Sequence, residues 1–236
     1  MKTQLLASAA LATLAASSAV AAPAPPAMAP FTWTGCYVGV HAGIDWGNSN
    51  WTPTTDVWDM PSAGMNTNGG IGGAQAGCNY QMQNFVLGVE GEVWGSGLTG
   101  STSFNDFEGT ETLKTSSDVA GDLAARFGYA LDHALVFGKI GVAWAHYKFS
   151  DTYSFTFDTE GGPVTERESA AGAATYTGLL LGVGVEYALD AHWSIKGEYD
   201  YINYGSKNVA MTGNFDYIAA IKNYENIVEV GANYRF

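Results

Sequence analysis

Apolar and polar residues alternate along most of the chain after residue 31. Eight segments of about ten residues or more show this period of two, which is typical of a β-strand with two different faces. The alternation therefore predicts eight strands, at Trp33–Asp45, Gly70–Gln81, Phe85–Gly95, Ser117–Tyr129, Ala134–Phe149, Thr175–Leu189, Trp193–Ile202 and Tyr224–Phe236.

The gaps between these segments are alternately short and long. Three are tight, at 82–84, 130–133 and 190–192, and four span roughly twenty residues each, at 46–69, 96–116, 150–174 and 203–223. Four gaps of that length are unusual in a compact soluble domain. Short turns at one end and long loops at the other are typical of outer-membrane barrels, so we expect four long extracellular loops.

One face of each predicted strand is bulky and apolar, and the other carries Gly, Ala and charged residues. In the sixth segment, for example, Leu179, Leu181 and Val183 oppose Gly182 and Glu186. A soluble lipocalin-type barrel would bury the apolar face, but an eight-stranded interior is too narrow for such side chains. The pattern therefore predicts an all-β fold, an eight-stranded antiparallel up-and-down transmembrane β-barrel whose apolar faces contact lipid.

Aromatic residues on the outward faces support this orientation. They lie beside the tight turns or at the last strand, where an interfacial aromatic girdle is expected. This girdle comprises Tyr80, Phe85, Tyr129, Tyr187, Trp193, Tyr234 and Phe236, and a second girdle near the long gaps would include Trp144, Tyr199 and Tyr201.

The start of the chain does not fit the strand pattern. Residues 1–21 combine Lys2, a short Ala/Leu-rich run and a small-residue cleavage site at Ala19-Val20-Ala21, which together predict a secretory signal peptide. Residues 22–30 form a Pro-rich leader, and 31–236 form the predicted barrel. The apolar run is too short for a membrane-spanning helix.

Charge narrows the possible functions. Only 14% of residues are charged and the formal net charge is −13. We therefore do not expect nucleic acid as a partner, because binding phosphate needs an excess of Lys and Arg, and this chain has 10 of them against 23 Asp and Glu.

Charges of both signs fall on the predicted inward faces, where they must be paired or hydrated. A turn that joins Leu189 to Trp193 would set Glu186 opposite Lys196, and a four-residue turn at 130–133 would set Lys139 opposite Ala124. Two interpretations remain open: an ion-paired plug, which the narrow lumen favours, or a narrow cation-preferring pore. The predicted lumen network comprises Glu90, Glu92, Asp122, Arg126, Lys139, Glu186, Lys196, Glu198, Asp200, Glu229 and Arg235.

The chain has two cysteines, Cys36 and Cys78. The register that places them opposite each other also matches the faces of the first two strands, with Val38 opposite Ala76. An exported protein can be oxidised, so we predict a cross-strand disulfide on the outward face. Two buried free thiols are the alternative.

Catalytic and metal-binding patterns are not evident. Paired acids such as Glu90 and Glu92 occur without a nucleophile and base beside them, and the four His residues are scattered. Inward His41 is better explained as an interior hydrogen-bonding residue. The sequence thus predicts neither an enzyme nor a cofactor or metal site.

The segments Phe31–Gly43, Gly72–Gln81 and Phe85–Glu92 resemble the first strands of a family of small alphaproteobacterial outer-membrane proteins. These porin-family or outer-membrane immunogenic proteins are related to the opacity proteins and the OmpA membrane domain. The resemblance implies an eight-stranded barrel, location in the outer membrane, and contacts with lipid and lipopolysaccharide. It also implies that Tyr234 and Phe236 belong to a signal read by the barrel-insertion machinery.

The expected function is therefore a structural or porin-like role in the cell envelope. The alternative is a surface binding protein, an adhesin or haem receptor, that acts through its loops. Haem ligands do not carry over from the family, because no His lies in the long gaps and Tyr153, Tyr176, Tyr204 and Tyr217 are a weak signal. The acidic segment 150–174 would suit divalent-cation bridging, through Asp151, Asp158, Glu160, Glu166 and Glu168.

Overall fold

A computed structural model of the protein describes residues 31–54, 62–105 and 109–236. The predicted signal peptide and leader, at residues 1–30, lie outside the described residues. The described chain is built from nine strands: β1 (Gly35–Pro53), β2 (Ala63–Met82), β3 (Phe85–Ser96), β4 (Thr99–Asn105), β5 (Gly109–Leu131), β6 (Ala134–Thr159), β7 (Gly162–Ala188), β8 (Trp193–Gly213) and β9 (Tyr217–Arg235).

Strands that are neighbours in sequence pair antiparallel, except that β3 and β4 do not pair with each other, and β9 returns to pair with β1. β3 and β4 are two parts of one barrel strand, interrupted between Ser96 and Thr99, and both pair with β5. The sheet thus closes into a ring of eight strands, as the alternation predicts. Closure pairs both sides of every strand along most of the ring, and the β7–β8 ladder is interrupted between Ala171 and Leu179.

The strands are much longer than predicted, and this corrects the expectation of four long loops. β6 and β7 reach Thr159 and Gly162, so the gap at 150–174 is almost entirely a hairpin. β8 and β9 likewise extend to Gly213 and Tyr217. The small and polar residues of these gaps continue the ladders because each strand pairs with a neighbour that extends equally far.

The predicted faces match the structure. Val40 is 63% exposed, Leu123 63% and Val230 66%, whereas the inward charged residues are at most 4% exposed. The apolar face therefore points outward around the barrel. Among the described residues, no helix is long and apolar enough to cross a membrane.

The tight turns fix the registers of the hairpins. Leu131 pairs with Ala134, so the turn contains only Asp132 and His133, and Asp132 adopts φ 57°. Lys139 consequently lies opposite Arg126, and the expected pairing with Ala124 is wrong by two residues. A two-residue turn matches the twist of the strands better than a four-residue one.

The remaining registers follow the predictions. Glu186 pairs with Lys196, and Cys36 with Cys78. In the turn after β7, the Asp190 carboxylate accepts the backbone N–H groups of His192 at 2.7 Å and Trp193 at 2.8 Å.

Candidate functional site: the filled lumen

The middle of the barrel holds a cluster of buried charges contributed by six strands. Inward positions of β3, β5, β6, β7, β8 and β9 alternate with the lipid-facing ones, so the period of two gathers charges from distant parts of the chain. The structure brings together ten of the predicted residues: Glu90, Glu92, Asp122, Arg126, Lys139, Glu186, Lys196, Glu198, Asp200 and Glu229.

Lys139 is at the centre of this cluster. Its Nζ lies 2.6 Å from a Glu198 carboxylate oxygen, 3.2 Å from Glu92 and 3.4 Å from Glu90. Asp122 and Asp200 each lie 3.8 Å away. One ammonium thus faces five surrounding carboxyl groups, three of which, those of Glu90, Glu92 and Glu198, also contact a second cation.

A glycine makes room for one of these acids. A Cβ atom on Gly182 would lie 2.0 Å from the Asp200 carboxylate. Only a residue without a side chain allows Asp200 to lie across β7 toward Lys139.

Lys196 forms the second centre. Its Nζ contacts Glu92, lies 3.0 Å from Glu198 and 3.1 Å from Glu229, and is 3.6 Å from Glu90. Glu90, Glu92 and Glu198 are therefore shared between the two lysines, which makes the cluster one connected network.

Arg126 connects the cluster to the periplasmic side. Its guanidinium donates to Glu186 at 2.9 Å and to Glu90 at 3.3 Å, and it also donates to the Tyr37 hydroxyl, which in turn donates to Glu90. The guanidinium carbon lies 3.9 Å from the ring centroid of Phe137. This planar cation is thus held by two carboxylates and an aromatic face.

A chain of side-chain hydrogen bonds through His41, Gln75 and Asn233 borders the charged cluster. His41 Nδ1 lies 2.7 Å from Gln75 Oε1, and the Gln75 amide donates to Asn233 at 2.7 Å. Asn233 donates to Glu186 at 2.9 Å. His41 is therefore an interior hydrogen-bonding residue, as its inward position predicts.

Two sets of lumen ligands could hold a cation by their spacing. They are His41 with Glu92 and Glu229, and Glu90 with Glu92 and Glu198. Glu92 and Glu229 already contact the Lys196 ammonium, and Glu198 contacts both lysines. The lysine side chains thus occupy the places that a bound metal ion would take.

Apolar side chains close the periplasmic end of the lumen. The segment before β1 folds inward, so that Trp33 is fully buried and its indole N–H donates to the Asp132 carbonyl at 3.1 Å. Arg235 lies apart from the central cluster, with its guanidinium carbon 4.9 Å from the ring centroids of both Phe31 and Trp33. This layer is completed by Val86, Ala130, Leu135, Phe137 and Ala188.

A larger apolar core fills the extracellular half of the barrel. Tyr147 packs edge-on against Tyr176 and Tyr204, with ring centroids 5.3 and 5.8 Å apart. Trp51 and Phe149 pack beside them at 5.5 Å. Trp51 and Tyr204 lie beyond the predicted strand ends, whereas Tyr147, Phe149 and Tyr176 lie at inward positions of predicted strands. The sequence does not predict them as a lumen core, because an eight-stranded interior is expected to be too narrow for bulky side chains.

Three buried acids lie outside the predicted lumen network: Asp45 and Glu225 at inward positions of predicted strands, and Asp151 on the extension of β6. Asp45 is 1% exposed, Glu225 1% and Asp151 fully buried. Glu225 accepts hydrogen bonds from the hydroxyls of Tyr147 and Tyr204. Asp151, expected in an acidic surface loop, instead accepts the Tyr217 hydroxyl at 2.7 Å, and its burial raises the pKa of its carboxyl.

The outward features lie where the pattern predicts. Cys36 and Cys78 form a disulfide bond between exposed positions of β1 and β2. Tyr234 is 39% exposed and Phe236 74% exposed. Both belong to the exposed periplasmic girdle, and their role as an insertion signal stays a prediction.

A closed antiparallel barrel with an apolar outer face, a girdle of exposed aromatics and a charged lumen defines a small outer-membrane β-barrel protein. Residues 10–236 match the model of the outer membrane protein beta-barrel domain family. The chain belongs to this family, and the protein resides in the outer membrane.

The curated relatives of the chain are also named as outer-membrane proteins. The chain is 32% identical over 252 residues to the 31 kDa outer-membrane immunogenic protein of Brucella melitensis, with all of both chains covered. It is 27% identical over 217 residues to the 25 kDa outer-membrane immunogenic protein of Brucella abortus, which covers 91% of this chain and 84% of the relative.

Solved structures with a similar fold include two outer-membrane proteins. OprG from Pseudomonas aeruginosa superposes with a TM-score of 0.48 at 9% identity, over 87% of this chain and 98% of OprG. Ail from Yersinia pestis gives a TM-score of 0.35 at 16% identity, over 86% of this chain and 99% of Ail.

Proposed function

We propose that the protein is a non-conducting structural component of the outer membrane, and that it is not an enzyme. The observation that supports this is the filling of the lumen at three successive levels. Trp33 and Phe137 lie at the periplasmic end, Lys139 and Lys196 with their carboxylates in the middle, and Tyr147 in the extracellular half. An ion would have to displace all three layers to pass.

This arrangement favours the plug over the cation-preferring pore. A pore needs hydrated charges along a continuous path, whereas each charged residue of the central network is at most 4% exposed. The charges replace an apolar core and hold the barrel strands to one another across the lumen.

A deletion strain tests this role in cells. We expect loss of the protein to raise uptake of a hydrophobic fluorescent dye, because the outer membrane loses a rigid component. Wild-type protein should restore the barrier. The Lys139→Met variant, which lacks the central cation, should restore the barrier only partly. The degree of restoration should follow the amount of folded barrel in the membrane. Unchanged dye uptake in the deletion strain would contradict the structural role.

Surface recognition is the second candidate function, and one feature supports it. Beyond Phe155 and before Ala170, the β6–β7 hairpin has no described pairing with β5 or β8. We call residues 156–169 the ribbon. Phe157 and Val164 are 41% and 40% exposed there, so this part of the described chain is available for contact with antibodies or host surfaces.

The acids expected to bridge cations lie mostly on the ribbon: Asp158, Glu160, Glu166 and Glu168 are exposed, whereas Asp151 is not. Replacing Asp158 by Asn and Glu160, Glu166 and Glu168 by Gln together should abolish calcium-dependent binding to host cells. Binding unchanged in this variant would rule out the ribbon acids as the cation-bridging groups.

A further inference from the structure

The ribbon extends from the wall of the barrel with both of its edges open. β6 pairs with β5 as far as Phe155, and β7 pairs with β8 only from Ala170 onward. Beyond these residues, within the described chain, the two strands of the ribbon pair only with each other. An open strand edge of this kind can accept an additional strand from another molecule.

The hairpin determines which backbone groups point away from it. Its two strands are joined by a two-residue turn at 160–161. The pair that flanks such a turn exchanges backbone hydrogen bonds, and this pattern repeats at every second pair. The N–H and C=O groups of Thr165 and Arg167 therefore point outward along the β7 edge. Ser169 continues this outward series, and its N–H and C=O both bond to Asn214, at 3.0 and 2.9 Å.

One face of the hairpin is aromatic on β6 and acidic on β7. Tyr153, Phe155 and Phe157 form an aromatic row, with successive ring centroids 5.8 and 6.0 Å apart. Glu168 lies directly opposite Tyr153, and Glu166 lies directly opposite Phe155. Both glutamates are exposed. A ring beside a carboxylate attracts one cationic group from two sides, so this face provides two adjacent positions for ammonium or guanidinium groups.

The spacing of these two positions matches that of an extended peptide. Glu166 and Glu168 are two residues apart on one strand, which separates them by roughly 7 Å. Side chains on one face of an added strand repeat at the same distance. Basic residues at alternate positions of that strand would therefore lie beside Glu166 and Glu168, whereas the intervening residues would lie beside Thr165 and Arg167.

The charge of the ribbon determines which kind of strand fits. Residues 156–169 contain four acids and one base. Two copies of the ribbon would therefore repel each other, whereas a basic strand is attracted. Pro163 has no N–H donor, so the usable part of the β7 edge lies between Pro163 and Ser169.

We propose that the ribbon binds an extended cationic peptide, which adds to the β7 edge as a third strand. Backbone hydrogen bonds to Thr165 and Arg167 hold the peptide. Its basic side chains, at alternate positions, contact Glu166, Glu168 and the aromatic row. This inference rests on the second candidate function, surface recognition by the ribbon, and it names the class of partner. The interaction needs no calcium, because the peptide itself supplies the cationic groups.

Fluorescence anisotropy of a labelled peptide tests the proposal, with the mature protein in detergent micelles and EDTA in the buffer. The probe is a heptapeptide that alternates threonine and lysine. The control is an isomer with a lysine at every third position, which places consecutive lysines on opposite faces of the strand. We expect the alternating peptide to bind more tightly by about threefold or more. Equal binding of the two isomers would overturn the proposed register.

N-methylated peptides separate strand addition from charge attraction. Methylation of the threonine N–H groups removes the donors that would face Thr165 and Arg167, and it should abolish detectable binding. Methylation of the lysine N–H groups, which point away from the ribbon, should change the affinity by less than about twofold. Equal binding of the two methylated peptides would show that the peptide does not add as a strand.

Two double variants that each remove two negative charges test the position of the acids. Glu166→Gln with Glu168→Gln should weaken binding of the alternating peptide by about fivefold or more. Asp158→Asn with Glu160→Gln should weaken it by less than about twofold, because Asp158 lies on the other face and Glu160 lies in the turn. Equal losses would reduce the interaction to general charge attraction. A gel shift between heated and unheated samples verifies that each variant is folded.

Calcium distinguishes this inference from the function on which it rests. Absence of peptide binding in EDTA would overturn the cationic peptide as the partner, as would binding that appears only when calcium is added. Surface recognition would still be supported in either case if the variant without the four ribbon acids lost its calcium-dependent binding to host cells.

Discussion

At the residue scale, Lys139 carries the largest share of the lumen network, since it faces five carboxyl groups. Lys139→Met should lower the free energy of unfolding by about 3–5 kcal/mol, because it leaves buried charges without a partner. Urea titration of the protein in lipid vesicles measures this change.

Lys148 provides the control, because its ion pair with Asp118 is exposed on both sides. Lys148→Met should change the free energy of unfolding by no more than about 1 kcal/mol. Similar losses for the two variants would show that the central cluster is hydrated rather than buried.

Asp190 gives a residue-scale prediction about pH. Hydrogen bonds from the backbone N–H groups of His192 and Trp193 lower the pKa of its carboxyl. The stabilisation is therefore present above the unfolded-state pKa and is lost as the pH falls through the folded pKa. An NMR titration should find the Asp190 pKa below that of a model peptide, and a value at or above it would contradict the turn geometry.

At the element scale, the β1–β2 pair is covalently closed by its disulfide across 42 residues of sequence. Replacing both cysteines by serine should lower the free energy of unfolding by about 2–4 kcal/mol, because the unfolded chain gains freedom. In the wild type, the difference between the free energies of unfolding with and without reductant measures the same contribution of the disulfide. Alkylation of the native protein without reductant would contradict the bond.

The segment 31–34 is the element that closes the periplasmic end. Trp33→Ala should cost about 3–5 kcal/mol of unfolding free energy, since it empties a fully buried site. Trp193→Ala, at an exposed girdle position, should cost clearly less. Equal costs, measured by urea titration in vesicles, would show that the segment does not dock into the lumen.

Strand elements could be predicted where alternation is strong, and their ends could not. The segments with bulky outward residues were found with their faces, and the pairing of Glu186 with Lys196 followed from the tight turn. The extensions have the composition of loops, because Gly, Thr, Ser and Asn dominate them. Tyr153, Phe155 and Phe157 do alternate there, and Gly161-Gly162-Pro163 marks the hairpin turn.

The sequence predicts which charged residues face the lumen, but not which of them contact each other. The alternation of apolar and polar residues places Lys139 in the lumen, whereas its five partners depend on the twist and closure of the whole ring. The sequence predicts a four-residue turn before β6, and the observed turn of two residues moves the register by two. The wrong register kept every side chain on its correct face, because a shift of two preserves the alternation.

At the scale of the whole molecule, a ring of eight strands encloses a lumen filled from end to end. Apolar layers lie at both ends and the shared carboxylates of Lys139 and Lys196 lie between them. The fold thus uses ion pairs where a soluble barrel would use an apolar core, because its apolar faces are turned to lipid.

Planar-bilayer conductance of the refolded mature protein is the most direct test of whether the lumen is closed. We predict that bilayers with inserted protein, verified by recovery of folded barrel from the membrane, show no discrete conductance steps. Stable, cation-selective steps of uniform size would show that the lumen conducts and would contradict the closed barrel.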